Sequence, residues 1–336
     1  MHHIHRRATG FAALAIAALT LTACSSTTAD VESGDVTSSI VIEHAYGTIE
    51  LDKAPERVVT LGLLETDVTL ALGVTPVAIA KFFATPDGVA PWLAPVLEET
   101  PQILDTTTTG ANGADLNVER IAALQPDLII ANTYTQLGKY YDQLSGIAPV
   151  LGPGESNYLQ LGWRDQTTSI AEALGKSEEA SALIADVDRQ LTDAAAKYAQ
   201  IVGHDYTLSL GTPDQIKVMN DPADASVEIM NAFGLTFSET ASALPGLGDG
   251  SGSAGVSEEN IAAIDADIVM IGYFGAGIQS HWEGSLLFQD LSAVKNDGYI
   301  AMDLSASTAL RNPSPLSIPY VIEHVISGNI VPALAK

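Results

Sequence analysis

One phrase occurs twice in this chain, and it fixes most of what the chain can become. Residues 119–132 read ERIAALQPDLIIAN and residues 259–272 read ENIAAIDADIVMIG. Each copy runs Glu-x-Ile-Ala-Ala-apolar, then two residues, then Asp, then an unbroken apolar run. The first half has the spacing of a short amphipathic helix. The second half is a strand buried on both faces. Two such units, 140 positions apart, predict two similar lobes. Two-lobed α/β proteins hold ligands in the crevice between the lobes.

The rest of the chain fits that plan. Ile40–Ile42 and Thr48–Leu51 flank Tyr46-Gly47 and predict a hairpin. Val58–Leu61, Val77–Ala80, Leu128–Ala131 and Ile147–Leu151 are the strands expected of a first lobe. A helix opened by Glu65 or Thr66 runs to Leu72 and stops at Gly73. Between Trp163 and Gln200 the pattern becomes helical throughout, broken once at Gly175. Leu183, Ile184, Val187, Leu191, Ala194 and Tyr198 share one face. A helix from Ser177 to Gln200 spans about 36 Å, enough to bridge two lobes. Alternation of strand and helix resumes after His204, with a helix at Val227–Phe233, a late strand at Tyr299–Met302 and a late helix at Ser317–Ile326. The expected fold is α/β, two Rossmann-like lobes with mostly parallel sheets joined by one long helix. The expected boundaries are 39–160 for the first lobe, 161–202 for the connecting helices and 203–336 for the second. A second echo places Asp67 and Glu228 each six residues before a helix-ending glycine, Gly73 and Gly234. Acids near a helix start are also favoured by the helix dipole alone.

The first 23 residues are a leader rather than part of the fold. A basic start with Arg6 and Arg7 precedes an apolar stretch, Phe11–Leu21, too short to span a membrane as a mature helix. Leu21-Thr22-Ala23-Cys24 follows, then a Ser/Thr/Asp/Gly-rich tether to residue 38. Cys24 is the only cysteine, so no disulfide forms within the chain. Removing the leader takes away two arginines and no acid, moving the formal net charge from −26 to about −28. So acidic a chain has no footprint for nucleic acid or anionic lipid, which are bound by neutralising phosphate.

Several segments resemble the periplasmic-binding proteins for ferric siderophores. They are Val41–Gly47, Ala54–Leu61, Ala71–Val77, Ile121–Ile130, Ile147–Val150 and Ile170–Lys176. The likeness extends over nearly all of the mature chain. It is to the group whose lobes are joined by one long helix, the class III periplasmic-binding-protein fold, which also includes cobalamin and haem binders. Leu21–Cys24 resembles the lipobox of bacterial lipoproteins, in which the cysteine is lipidated after cleavage. The resemblance implies an extracytoplasmic monomer, anchored to the cell membrane by lipid on Cys24. It would capture a ferric siderophore and pass it to the permease of an ABC importer. It implies no intrinsic cofactor, the ferric iron arriving as part of the siderophore complex. It also implies one acidic residue per lobe meeting an arginine of the permease. Asp67 and Glu228 occupy those positions, with Glu65 a nearby substitute.

Ligands in such folds lie beyond the carboxyl ends of the strands. Lys81, Phe82 and Phe83 follow one strand; Tyr134 and Lys139 follow the first copy of the repeat; Tyr273, Phe274 and Trp282 follow the second. Tyr158 and Trp163 lie ahead of the long helix, and Arg311 lies in a loop before the last one. A siderophore is gripped from outside, by aromatic area and by charge-assisted bonds to its iron-ligating oxygens. The ligand-binding candidates are therefore Arg311, Lys81, Lys139, Tyr134, Tyr273, Trp282, Phe82, Phe274 and Trp163, each weighed against plain core packing or a solvated charge. Rival readings are weaker. Free zinc or manganese needs converging ligands, whereas His44, His204, His281 and His324 are scattered. His281 beside Trp282 leaves haem open. No G-x-S-x-G elbow or Walker loop is present, so an enzyme is not expected. An adhesin or sensor lipoprotein of this fold is the rival from another class.

Overall fold

The computed structural model describes residues 39–106, 115–154 and 162–335. The leader, the tether, Cys24 and Tyr158 lie outside these residues. The first described unit is the hairpin β1 (Ile40–His44) and β2 (Gly47–Leu51), paired antiparallel with Ile40 opposite Leu51.

The first sheet follows. Its strands are β3 (Val58–Thr60), β4 (Ala78–Ala80), β5 (Gln102–Leu104), β6 (Leu128–Ile130) and β7 (Val150–Leu151). All pair parallel, in the order β5-β4-β3-β6-β7. The strand order turns back between β3 and β6, which makes their carboxyl ends the edge of a crevice. The helices α1 (Leu63–Ala71), α2 (Val118–Ala123) and α3 (Leu137–Ser145) cover the sheet. Alternate residues serve opposite faces: Val58, Leu128 and Ile130 join one apolar cluster, Val59 and Ile129 the other.

Two helices lead out of this lobe, α4 (Trp163–Ala173) and α5 (Ser177–Lys197). With 21 residues, α5 is about 31 Å long. Its packing shows that it is the bridge. Ala180 belongs to a core cluster of the first lobe, while Val187, Leu191 and Ala194 belong to that of the second. Leu183 packs against both.

The second sheet contains β8 (Asp205–Gly211), β9 (Ile216–Met219), β10 (Thr236–Phe237), β11 (Ser253–Val256), β12 (Ile268–Tyr273) and β13 (Tyr299–Met302). The order is β11-β9-β8-β12-β13, with β10 beside the start of β8. β8, β10, β12 and β13 run parallel, while β9 and β11 form an antiparallel edge. The helix α6 (Ala225–Ala232) starts at Asp224, whose carboxylate accepts from Ser226 N–H.

The repeat survives as a structural unit, with one difference. The first copy forms α2, capped by Asn117, whose side chain accepts from Arg120 N–H. The second copy is a tighter 3₁₀ turn, Glu258–Ile264. Its leading Ser257 caps no backbone N–H; its hydroxyl accepts from the Asn260 side chain instead. The echoed aspartates share a task. Asp127 accepts from Glu56 and Arg57 N–H at 2.8 and 2.7 Å, at the entry to β3. Asp267 pairs with His204, at the entry to β8. Each ties its own strand to the neighbour it pairs with.

The lobes are not independent bodies. Leu70, Phe82, Trp92 and Leu93 of the first lobe belong to the same buried cluster as the sheet of the second. Burying one large side chain of this kind contributes roughly 1.5–3 kcal/mol. The last helical stretch runs from Ser317 to Leu334, further than expected, with wide π turns over Ile322–Ile330. Pro332 has no N–H for an ordinary helical bond to the preceding turn, and its ring presses that turn open. No described helix is long and apolar enough to cross a membrane.

Candidate functional site

The carboxyl ends of the second sheet open onto a cavity of about 490 Å³ between the lobes. Depressions of similar size lie against the hairpin and beside His204 at the amino ends of the strands. Neither position is where α/β sheets bind ligands.

The floor of the cavity comes from β8 and β9. Side chains alternate along a strand, so Ile216 and Val218 enter the core while Lys217 turns toward the cavity. One wall is the helix Leu304–Arg311, capped at its start by Asp303, which accepts from Ala306 N–H at 2.9 Å. Ser307, Thr308 and Arg311 stand on its cavity side. Arg311 therefore ends a helix instead of lying in the expected loop, a position where a cation favours the helix dipole. Its Nη2 donates to Asp224 Oδ2 at 2.5 Å and to the Ser251 carbonyl at 3.2 Å. The Nε of Arg311 and the hydroxyl of Ser209 are buried polar atoms without a hydrogen-bond partner.

The opposite wall is aromatic. Phe83 reaches from the first lobe, Phe274 from the loop after β12, and their ring centroids lie 5.9 Å apart. Both remain partly open to solvent, 37 % and 47 % exposed. Rigid aromatic faces over a polar floor, with unpaired donors between them, suit a bulky ligand held from outside.

Of the expected ligand residues, Arg311 and Phe274 line this cavity. The others lie elsewhere, for identifiable reasons. Phe82 is fully buried against Trp92, because its N–H donates to the Gly88 carbonyl and closes a loop that turns the ring inward. Its neighbour Phe83 takes the cleft position. Lys81 is half-exposed near Asp105, 3.9 Å away. Lys139 pairs with Asp115 and lies over the Tyr140 ring. Tyr134 is buried in the first lobe, where burial pushes its hydroxyl up to about 12. Tyr273 packs across Gly211, where a Cβ would stand 2.4 Å from its ring, and bonds to the Tyr299 hydroxyl. Trp282 is buried with its Nε1 donating to the Thr212 carbonyl. Trp163 is fully buried, with Arg164 over its ring. His281 is exposed on the helix Ile278–Glu283, away from the residues that line the cavity.

The docking acids also require correction. Asp67 is 2 % exposed and accepts from Trp92 Nε1 and from the Ser314 hydroxyl of the second lobe. Burial pushes its carboxyl up to about 7. A carboxylate enclosed between lobes presents no charge to a partner. Glu65 is equally buried; it accepts from the N–H and hydroxyl of Thr133, across Gly62, and burial raises its carboxyl too. Glu228 is half-exposed and pairs with Arg164, which also holds Asp188. Among the described residues no group of three His, Cys, Asp or Glu side chains is placed to hold a metal ion.

Sequence reasoning passed over Lys217, Ser307 and Thr308. Lys217 was findable, as the one charged position of an apolar strand; the other two depend on how the helix faces the cleft.

The periplasmic binding protein family model matches residues 58–304. The Fe(3+)-citrate-binding protein YfmC of Bacillus subtilis is 28 % identical over 276 residues, which cover 81 % of each chain. A periplasmic solute binding protein from Mycobacterium smegmatis superposes with a TM-score of 0.73 at 28 % identity, covering 88 % of this chain and 98 % of that one. PiaA of Streptococcus pneumoniae in complex with ferrichrome superposes with a TM-score of 0.71 at 26 % identity, covering 88 % and 99 %.

Proposed function

The chain belongs to the periplasmic binding protein family, and from that premise we propose that it captures a ferric siderophore in the cleft between its lobes for delivery to an ABC importer. The observation that carries this reading is the cavity itself. Phe83 and Phe274 close one side, and Arg311 with its unpartnered Nε stands on the other. A ferric siderophore has its iron fully coordinated, so its binder needs outer grip and hydrogen-bond donors rather than metal ligands. The relatives that bind ferric citrate and ferrichrome support the same ligand class.

The protein acts outside the cytoplasm, held to the membrane by lipid on Cys24. The loaded lobes are presented to a permease, with Glu228 the acid available for that contact on the second lobe. Rim charges of this kind guide encounter and orientation more than affinity. Uptake of radiolabelled ferric siderophore by cells carrying the matching permease tests the role. Removing the chain abolishes uptake, and Cys24→Ala releases the protein into the medium. Uptake that continues undiminished without the chain contradicts the proposal.

A further inference from the structure

Two cations line the cleft, Lys217 and Arg311, and both have acidic company. Arg311 is joined to Asp224, whose side chain is 2 % exposed. The other oxygen of Asp224 accepts from Ser226 N–H at 3.0 Å and from the Ser226 hydroxyl at 2.5 Å. Asp224 is thus fixed at the start of α6 and cannot swing away when a ligand arrives. Lys217 lies within electrostatic reach of Asp249, whose carboxyl is held below the usual range by hydrogen bonds from Ser251, with a smaller contribution from Lys217. Asp221 lies on the same side of Gly252 as Arg311: a Cβ there would stand 4.0 Å from both Asp221 Oδ2 and Arg311 Nη2. The cleft therefore offers hydroxyl and amide donors and aromatic area, and the fixed Asp224 carboxylate neutralises one of its two lining cations.

That balance discriminates between iron complexes. Three hydroxamates cancel the charge of ferric iron, whereas three catecholates leave a trianion. A trianion desolvated in this cavity would need cations not already committed, and a buried charge left unpaired is strongly unfavourable. Building on the ferric-siderophore reading, we propose that Asp224 sets the charge preference of the cleft. By occupying Arg311 it tunes the site to a neutral or weakly charged ferric complex of the trihydroxamate class, against the tricatecholate class. Asp224 touches no ligand in this scheme; it acts through Arg311.

The test is a calorimetric titration of the soluble mature protein with a neutral ferric trihydroxamate and with a trianionic ferric tricatecholate. Both are also titrated into Asp224→Asn. Asparagine caps a helix about as well as aspartate, so α6 keeps its start while the charge is removed. The wild type should favour the trihydroxamate by roughly tenfold or more, and Asp224→Asn should move the ratio of affinities toward the trianion by roughly tenfold. A wild type that binds the trianion as tightly as the neutral complex overturns the proposal, whatever the variant does. So does a ratio that Asp224→Asn leaves unmoved. Binding of neither complex, nor of ferric citrate in the same cell, would instead overturn the ferric-siderophore reading beneath it.

Discussion

Phe83 of the first lobe and Phe274 of the second meet across the cleft, ring centroids 5.9 Å apart and planes inclined by 55°. Both rings line the cavity, and neither belongs to a buried core cluster. Phe274→Ala should therefore lower affinity for a ferric chelate by roughly tenfold, the worth of an aromatic contact with its area. It should leave the melting temperature almost unchanged, as expected of a half-exposed position. Calorimetry and a thermal melt on the same sample check both halves.

The buried Asp67 makes stability depend on pH. Its carboxyl rises from 3.8 to about 7 in the folded protein because burial disfavours the charged form. Between those values the native state holds a proton that the unfolded chain has released. Stability is then greatest at the acid end of that window and falls as pH rises through about 7. Glu65, raised by burial, pulls in the same direction. Asp67→Asn removes only the share of Asp67, so the variant should gain on the wild type as pH goes from about 5 to about 8. Melting temperatures measured across that range decide it, and a difference that stays flat with pH contradicts the assignment.

Arg164 ties the connecting helices to the second lobe through Asp188 on α5 and Glu228 on α6. All three side chains are more than a third exposed, so solvent screens the pair. Glu228→Gln should cost at most about 1 kcal/mol in denaturant unfolding. Glu228→Lys should stop uptake while ligand affinity stays as it was, because Glu228 lies outside the residues that line the cavity. Normal uptake by that variant removes Glu228 from the docking surface.

The repeated aspartate is a matter of stability alone. Asp127 satisfies two backbone N–H groups at the entry to β3. Asp127→Ala should destabilise the protein by roughly 1–3 kcal/mol, the range for hydrogen bonds to a charged group. Chevron or equilibrium unfolding measures this, and ligand affinity should be unaffected.

The lobes were legible because their signals are periodic and local. The apolar runs at Leu128–Ile130 and Ile268–Ile271, and the shared helical face of Val187, Leu191 and Ala194, state their burial directly. The site was less legible because it depends on contacts far apart in sequence. Phe82 and Phe83 are neighbours after a strand, and only the loop closed by Gly88 decides which one faces the core. The burial of Asp67 depends on Ser314, 247 positions away. The strand β11, which brings Ser253 to the cavity, reads Ser-Ala-Gly-Val, and only its last residue has a strong preference for strands.

The central claim is that the cleft between Phe83, Phe274 and Arg311 holds a ferric siderophore. The direct measurement is calorimetric titration of the soluble mature protein with iron-loaded hydroxamate, catecholate and citrate complexes, each paired with its iron-free chelator. The account predicts saturable one-to-one binding of at least one ferric complex, weakened in Phe274→Ala and in Arg311→Ala. No binding by any member, or binding that both substitutions leave untouched, would contradict it.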